Sequence, residues 1–171
     1  VRFVSNIDGH AIQGGLAGLD PRDTLIVLAS KSFTTAETLQ NGQRAIEWLR
    51  ASGIANPYSH VVAITARPEK AREWGVPESQ IFQVWDWVGG RFSMWSAVGL
   101  TTALVVGPGI IDGMQRGAAA MDAHFETAPP GLNAPVQLAL TGIVNRCVLG
   151  QQSLNIAPYD FRLADLVPYL Q

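Results

Sequence analysis

The sequence is poor in charge, in cysteine and in long apolar runs, and each shortage excludes something. Only 15% of the 171 residues are Asp, Glu, Lys or Arg, and the formal net charge is -2. No basic run or basic face stands out, so nothing in the charge balance points to nucleic acid. The single cysteine, Cys147, excludes an internal disulfide. Its apolar neighbours Ile143, Val144 and Val148 make it a small core residue of a protein in a reduced, intracellular compartment. The longest apolar stretch, "SAVGLTTALVVG" from Ser96, falls short of the roughly 20 residues a membrane helix needs and is expected to form a buried helix. No secretory signal opens the chain, and a start at Val1 in place of Met marks it as a piece of something longer. There is no internal repeat, no low-complexity segment and no G-x-x-x-x-G-K-[ST] phosphate loop.

What the sequence does hold is a core. Hydrophobic residues make up 47% of it, enough for one soluble domain over residues 1–171 that buries about 70% of the surface exposed by the unfolded chain. Short β-branched runs recur at 2–7, 24–30, 60–65, 81–84 and 154–157. They are nearly continuous rather than alternating, as parallel strands covered on both faces should be. Helical stripes lie between them: Ile12, Leu16 and Leu19, then Leu39, Ala45, Ile46 and Leu49. Asp20-Pro21 should end the first helix, Ser52-Gly53 the second, and Pro68 should open a third. The second half is mostly helical, with Ile110, Ile111, Met114, Ala118, Met121 and Phe125 on one stripe and a last helix, "APVQLALTGIVNRCVL", expected to be buried on most sides. The nine-residue "TAPPGLNAP" between them is a connection within a domain. Strand alternating with helix predicts an α/β fold with a mostly parallel sheet.

Two stretches carry chemistry. In "LIVLASKSFTTAET" (25–38) a strand delivers its carboxyl end to a helix start, which is where ligands bind in open α/β sheets. Thr34 and Glu37 form a T-x-x-E capping box. The helix start favours an anion, and Ser30, Ser32, Thr34, Thr35 and Thr38 add hydroxyl donors, with Lys31 as a charge. On these residues alone, an anion site and a locally satisfied loop with a solvated Lys31 are both open. In "WDWVGGRFSMWSAVGL" (85–100), Gly89-Gly90 lets the backbone approach a ligand, and Arg91 stands close to a helix N-terminus where only a bound or developing anion makes it welcome. The bland alternative pairs Arg91 with Asp86 and packs Trp85, Trp87 and Trp95 into the core. His10, His60 and His124 read as structural or surface residues.

Taken in order, "FVSNIDG", "ASKSFTTAET", "FQVWDWVGGRFSMWSAVGL", "MDAHFETAP" and "LNIAPYD" resemble glucose-6-phosphate isomerase along essentially the whole chain. The resemblance implies a three-layer αβα sandwich of the sugar-isomerase (SIS) type, flavodoxin-like, incomplete at both ends and lacking the central first strand. It implies a cytoplasmic homodimer that interconverts glucose 6-phosphate and fructose 6-phosphate through a cis-enediolate, in glycolysis and gluconeogenesis, with no metal or organic cofactor and no membrane partner. Carried over by motif, the phosphate-binding residues are Ser30, Lys31, Ser32, Thr35 and Thr38, with serine at 32 where the family usually has threonine. Gly90 and Arg91 fall beside the reacting carbons, with Arg91 stabilising the enediolate. The family's glutamate base belongs to a run that follows a glutamine matching Gln171, so the base, the catalytic histidine and the catalytic lysine are expected beyond this sequence and the 171-residue chain is expected to be inactive alone. The alternative is a non-catalytic regulatory module of the same domain type that binds sugar phosphate.

Overall fold

The computed structural model describes residues 1–170, with the backbone but not the side chain of Arg91; Gln171 lies outside the described residues. Contacts divide the chain into two compact units, Val1–Val106 and Gly107–Gln171.

The first unit is built on a three-stranded parallel sheet in the order β1-β2-β3, where β1 is Ile26–Ala29, β2 is Val61–Thr65 and β3 is Ile81–Gln83. Ile26 to Ala29 stand opposite Val61 to Ile64, and Ala63 to Thr65 opposite Ile81 to Gln83. β2 is central and wholly buried, which explains why its sequence does not alternate. Alternate side chains feed two cores. Val61 and Ala63 pack with Leu28, Ile46, Leu49, Ala71 and Val76 under helices α2 (Ala36–Ala51) and α3 (Pro68–Trp74). Val62 and Ile64 pack on the other face with Val84, Val88, Ala97, Val98 and Leu100. Both faces are thus covered, and the α/β fold with a parallel sheet, predicted from the alternation of strand and helix, is the fold observed.

The punctuation is largely as expected. Pro68 sits in the first turn of α3, and Ser52 and Gly53 end α2, Gly53 at φ 84°. The first helix, α1 (Gly9–Leu16), stops short of Leu19, because the backbone breaks at Ala17 and turns through Gly18 at φ 72° before Asp20-Pro21 is reached.

Two of the five predicted strands do not form. Residues 2–7 leave Phe3 and Ile7 exposed, and Arg2 instead donates to the carbonyls of Gly14, Gly15 and Ala17 at the end of α1. Residues 154–157 have no strand partner, and Leu154 is 85% exposed. The helix expected from Ser96 buries only its approach. Val98 to Leu100 meet the sheet, whereas Leu104, Val105 and Val106 at the end of α4 (Leu100–Val106) are exposed.

The second unit consists of α5 (Pro108–Thr127), α6 (Ala134–Ile143), a π turn over Val144–Val148 and α7 (Leu166–Leu170). The last predicted helix is exposed rather than buried, with Leu138 at 75%, and it widens into the π turn instead of running on. Cys147, expected in the core, is exposed on that turn. α5 and α6 are joined as expected within one unit: Asn133 caps α6 and donates to the carbonyl of Phe125.

Candidate functional site

The hydroxyl loop leaves β1 at its carboxyl end and is shaped by three contacts. Ser30 is buried, continues the sheet by donating its N–H to the Ile64 carbonyl at 3.0 Å, and accepts from the Phe33 N–H at 3.2 Å. Phe33 takes φ 48°, in the left-handed region that non-glycine residues rarely adopt. Its ring compensates by burying in the core, edge-on to Trp74 with centroids 6.2 Å apart. The chain therefore turns sharply into α2.

The capping box does not form as expected. α2 begins one residue later, with Thr35 as the N-cap, so Glu37 is the second helical residue and cannot reach back as the third would. Thr34 instead shares a 2.7 Å hydrogen bond with Ser32, and the Thr35 hydroxyl shares one of 2.9 Å with Ser30. Thr35 makes no side-chain cap bond, so the first turn of α2 keeps its N–H groups for another acceptor. Thr35, Glu37 and Thr38 line an open cleft of about 420 Å³ that Ser5, Asn6 and Ile7 close from the N-terminal segment. That segment is fixed to α2 by buried Asn41, whose Nδ2 donates to the Asn6 carbonyl at 2.9 Å.

The tryptophan and glycine loop follows β3. Gly90 adopts φ 58° and opens a 3-10 turn, Gly90–Trp95, held by Ser93 donating to the Gly90 carbonyl at 2.8 Å. Trp85, Trp87 and Trp95 are 55%, 81% and 44% exposed, contrary to the packing role expected of them; Val84 and Val88 fill the core instead. The Asp86 carboxylate takes the guanidinium of Arg67 at 3.0 Å. The proposed enediolate stabiliser, Arg91, has its side chain outside the described residues.

Lys31 joins the two loops. Its ammonium donates to the Asp86 main-chain carbonyl and lies beside Gly89, where an added Cβ would come within 3.8 Å of Nζ. Of the sequence-predicted site residues, Ser30 and Thr35 are thus hydrogen-bonded to each other, Thr35 and Thr38 share the cleft, and Lys31 reaches from this loop to the one that carries Gly90. Ser32 is exposed and turned to Thr34.

Sequence reasoning missed Thr65, Arg67 and Asn6. Thr65 ends a predicted strand and Arg67 lies two residues beyond it, at the carboxyl end of the sheet, and that position alone could have flagged them. Asn6 lies in the run 2–7, which the sequence pattern predicts as a strand. The histidines are structural or superficial: His60 Nδ1 lies 3.0 Å from the Thr24 carbonyl, His124 Nε2 accepts from the Ala134 N–H, and His10 is exposed. Among the described residues no group of three His, Cys, Asp or Glu side chains is placed to hold a metal ion, and no helix is long and apolar enough to cross a membrane.

The phosphoglucose isomerase family model matches residues 1–171. The chain belongs to this family. It is 54% identical over all 171 residues to the glucose-6-phosphate isomerase of Bordetella avium, covering 33% of that protein, and 47% identical over 170 residues to that of Brucella ovis, covering 31%. Among solved structures, a glucose-6-phosphate isomerase from Chlamydia trachomatis aligns over 99% of this chain and 32% of its own, with TM-score 0.87 and 34% identity. The chain therefore spans about a third of the length of these phosphoglucose isomerase relatives.

Proposed function

We propose that this segment supplies the phosphate-binding loop and the enediolate-stabilising arginine of a glucose-6-phosphate isomerase. The observation that carries the reading is the uncapped start of α2 beside the Ser30–Thr35 hydroxyl pair, opening on a cleft, with Lys31 joined to the loop of Gly90 and Arg91. Helix N–H groups, hydroxyls and an ammonium suit a phosphate dianion. A phosphate held there leaves the sugar chain free to extend toward Gly90.

In the forward direction a carboxylate removes the proton from C2 of the open-chain aldose. The electron pair forms the C1–C2 double bond, and the carbonyl oxygen at C1 takes on negative charge that Arg91 stabilises. Return of the proton to C1, with proton exchange between the two oxygens, gives the ketose. No atoms are gained or lost, and the chemistry requires neither metal nor organic cofactor. Of the acidic side chains at the loops, Asp86 is engaged by Arg67 and Glu37 lines the cleft beside Thr35 and Thr38, at the end assigned to the phosphate. We place the base in the remainder of the parent protein and expect the 171-residue chain alone not to turn over. The parent is proposed to be a cytoplasmic homodimer acting in glycolysis and gluconeogenesis.

Kinetics of the full-length parent test this. Thr38→Val should raise KM for fructose 6-phosphate by roughly tenfold or more, the cost of one hydrogen bond to a charged group. Arg91→Ala should lower kcat by about two to three orders of magnitude with a smaller change in KM. Binding of sugar phosphate without turnover by the parent would establish the regulatory alternative instead, and an unchanged kcat in the arginine variant would remove Arg91 from the mechanism.

A further inference from the structure

We propose that Arg67 and Asp86 are positioning residues whose ion pair sets Lys31 and the glycine turn for the phosphate end of the substrate. This rests on the sugar-phosphate reading above and adds two residues to it.

Lys31 is held at both ends by groups outside its own loop. Its carbonyl accepts from the Ala66 N–H at 2.9 Å and from the hydroxyl of fully buried Thr65 at 3.1 Å. The same Thr65 hydroxyl accepts the Arg67 N–H at 3.0 Å. One buried oxygen thus fixes the backbone of Lys31 and that of Arg67 together. The other end of Lys31, its ammonium, donates to the carbonyl of Asp86, while the Asp86 carboxylate takes Arg67 Nη1 at 3.0 Å. Arg67 Nη1 also donates to the Ala66 carbonyl at 2.9 Å, so the guanidinium is tied down beside β2 before it reaches across. The result is a closed ring of contacts: Lys31, Thr65, Arg67, Asp86 and back to Lys31.

Fold stability does not explain this ring. The Arg67 and Asp86 side chains are 43% and 70% exposed, and an ion pair this open contributes little to stability because water and salt screen it. Its effect is on a flexible neighbour. A lysine stem has several rotatable bonds and loses much freedom when it is fixed on a ligand; one already aimed by its surroundings loses less on binding. Without the guanidinium, Asp86 is no longer anchored to the end of β2, and both the carbonyl that aims Lys31 and the Gly89-Gly90 turn beside it gain freedom.

The test uses the full-length protein carrying this segment, with Arg67→Met, Asp86→Ala, the double variant and the conservative Arg67→Lys. The first readout is the rate at which Lys31 is acylated by acetic anhydride, read by mass spectrometry against a free-lysine standard in the same tube. Loss of the strap should raise it about fivefold in Arg67→Met, and the double variant should match the single ones, as members of one unit do. Arg67→Lys should restore much of the protection. In the same proteins KM for fructose 6-phosphate should rise about fivefold while kcat changes less, the pattern of lost preorganisation in binding. Thermal midpoints within a few degrees of the parent's show that the variants fold; if Arg67→Met does not, Asp86→Ala, which keeps the main-chain carbonyl, carries the test. Unchanged Lys31 reactivity in a folded variant overturns the proposal. An absence of turnover and of sugar-phosphate binding in the parent overturns the functional reading instead, and the acylation rates still decide whether the strap exists.

Discussion

The two units use their apolar residues in opposite ways. In the first, every buried apolar side chain among the described residues falls between Leu28 and Val88, on the two faces of a sheet whose central strand is fully enclosed. In the second, Asn133 is the one buried residue among those described, while Ile110, Met121, Phe125, Leu138 and Ile143 are each about half exposed or more. The first unit thus has a core of its own and the second has secondary structure without one. A helix in water gains most of its stability from burying an apolar face, so helices such as α5 and α6 are marginal on their own contacts. The candidate site belongs to the first unit: Ser30 and Lys31 follow the carboxyl end of β1, and Thr35 is the N-cap of α2, both elements that pack on the core.

Paired truncations should show the largest contrast. Ile46 is fully buried between α2 and the sheet, and Ile46→Ala should cost about 2–5 kcal/mol in urea unfolding of this chain, through lost burial and a cavity. Leu138→Ala removes as many carbons from a side chain that is 75% exposed and should cost less than about 0.5 kcal/mol. Equal costs would mean that the second unit has a core in solution.

A smaller effect is expected at the buried asparagines, one in each unit. Asn133 Oδ1 accepts from the Val136 N–H at 3.2 Å and Nδ2 donates to the Phe125 carbonyl at 2.7 Å, so one side chain both caps α6 and ties it to α5. Asn133→Ala should cost about 1–2 kcal/mol of local stability, seen as faster amide exchange in α6 with β2 unaffected. Asn41 joins α2 to the N-terminal segment that lines the cleft. Asn41→Ala should cost about 1 kcal/mol and, unlike the first change, weaken sugar-phosphate binding. A binding defect from Asn133→Ala, or none from Asn41→Ala, would break this division.

What could be read from the sequence follows the same line. The strand at 60–65 was legible because burial on both faces removes polar alternation, a signal that Val61 to Thr65 carry in full, whereas the edge strands at 24–30 and 81–84 are only partly buried and were legible by their short apolar runs. The runs at 2–7 and 154–157 have the same composition but no neighbouring strand, and composition does not show whether a partner is present. The loop hydroxyls were legible by their place after a strand. The helix start was displaced by one residue because the left-handed Phe33, stabilised by a distant Trp74, sets the turn. Thr65 and Arg67 went unseen because their importance lies in contacts to Lys31 and Asp86, 34 and 19 residues away.

The smallest predicted effects concern two exposed carboxylates whose pKa values are lowered for different structural reasons. Glu47 titrates below the usual glutamate range chiefly because of its side-chain bond to Arg44, 2.9 Å away and one helical turn back, with Gln43 assisting. Asp160 titrates below the usual aspartate range because of side-chain and then backbone bonds from Arg162, two residues on. In each case the unfolded state binds the proton more readily, so the contribution to stability is present above the unfolded pKa and fades as pH falls through the folded one. Glu47 depends on α2, which the core holds, whereas Asp160 lies in the unit without one. NMR titration at a urea concentration that removes amide protection from α5 and α6 but not from β2 should therefore find Asp160 returned toward its ordinary value and Glu47 still lowered. If both move together, the two units unfold as one and the contrast in their packing has no counterpart in their stability.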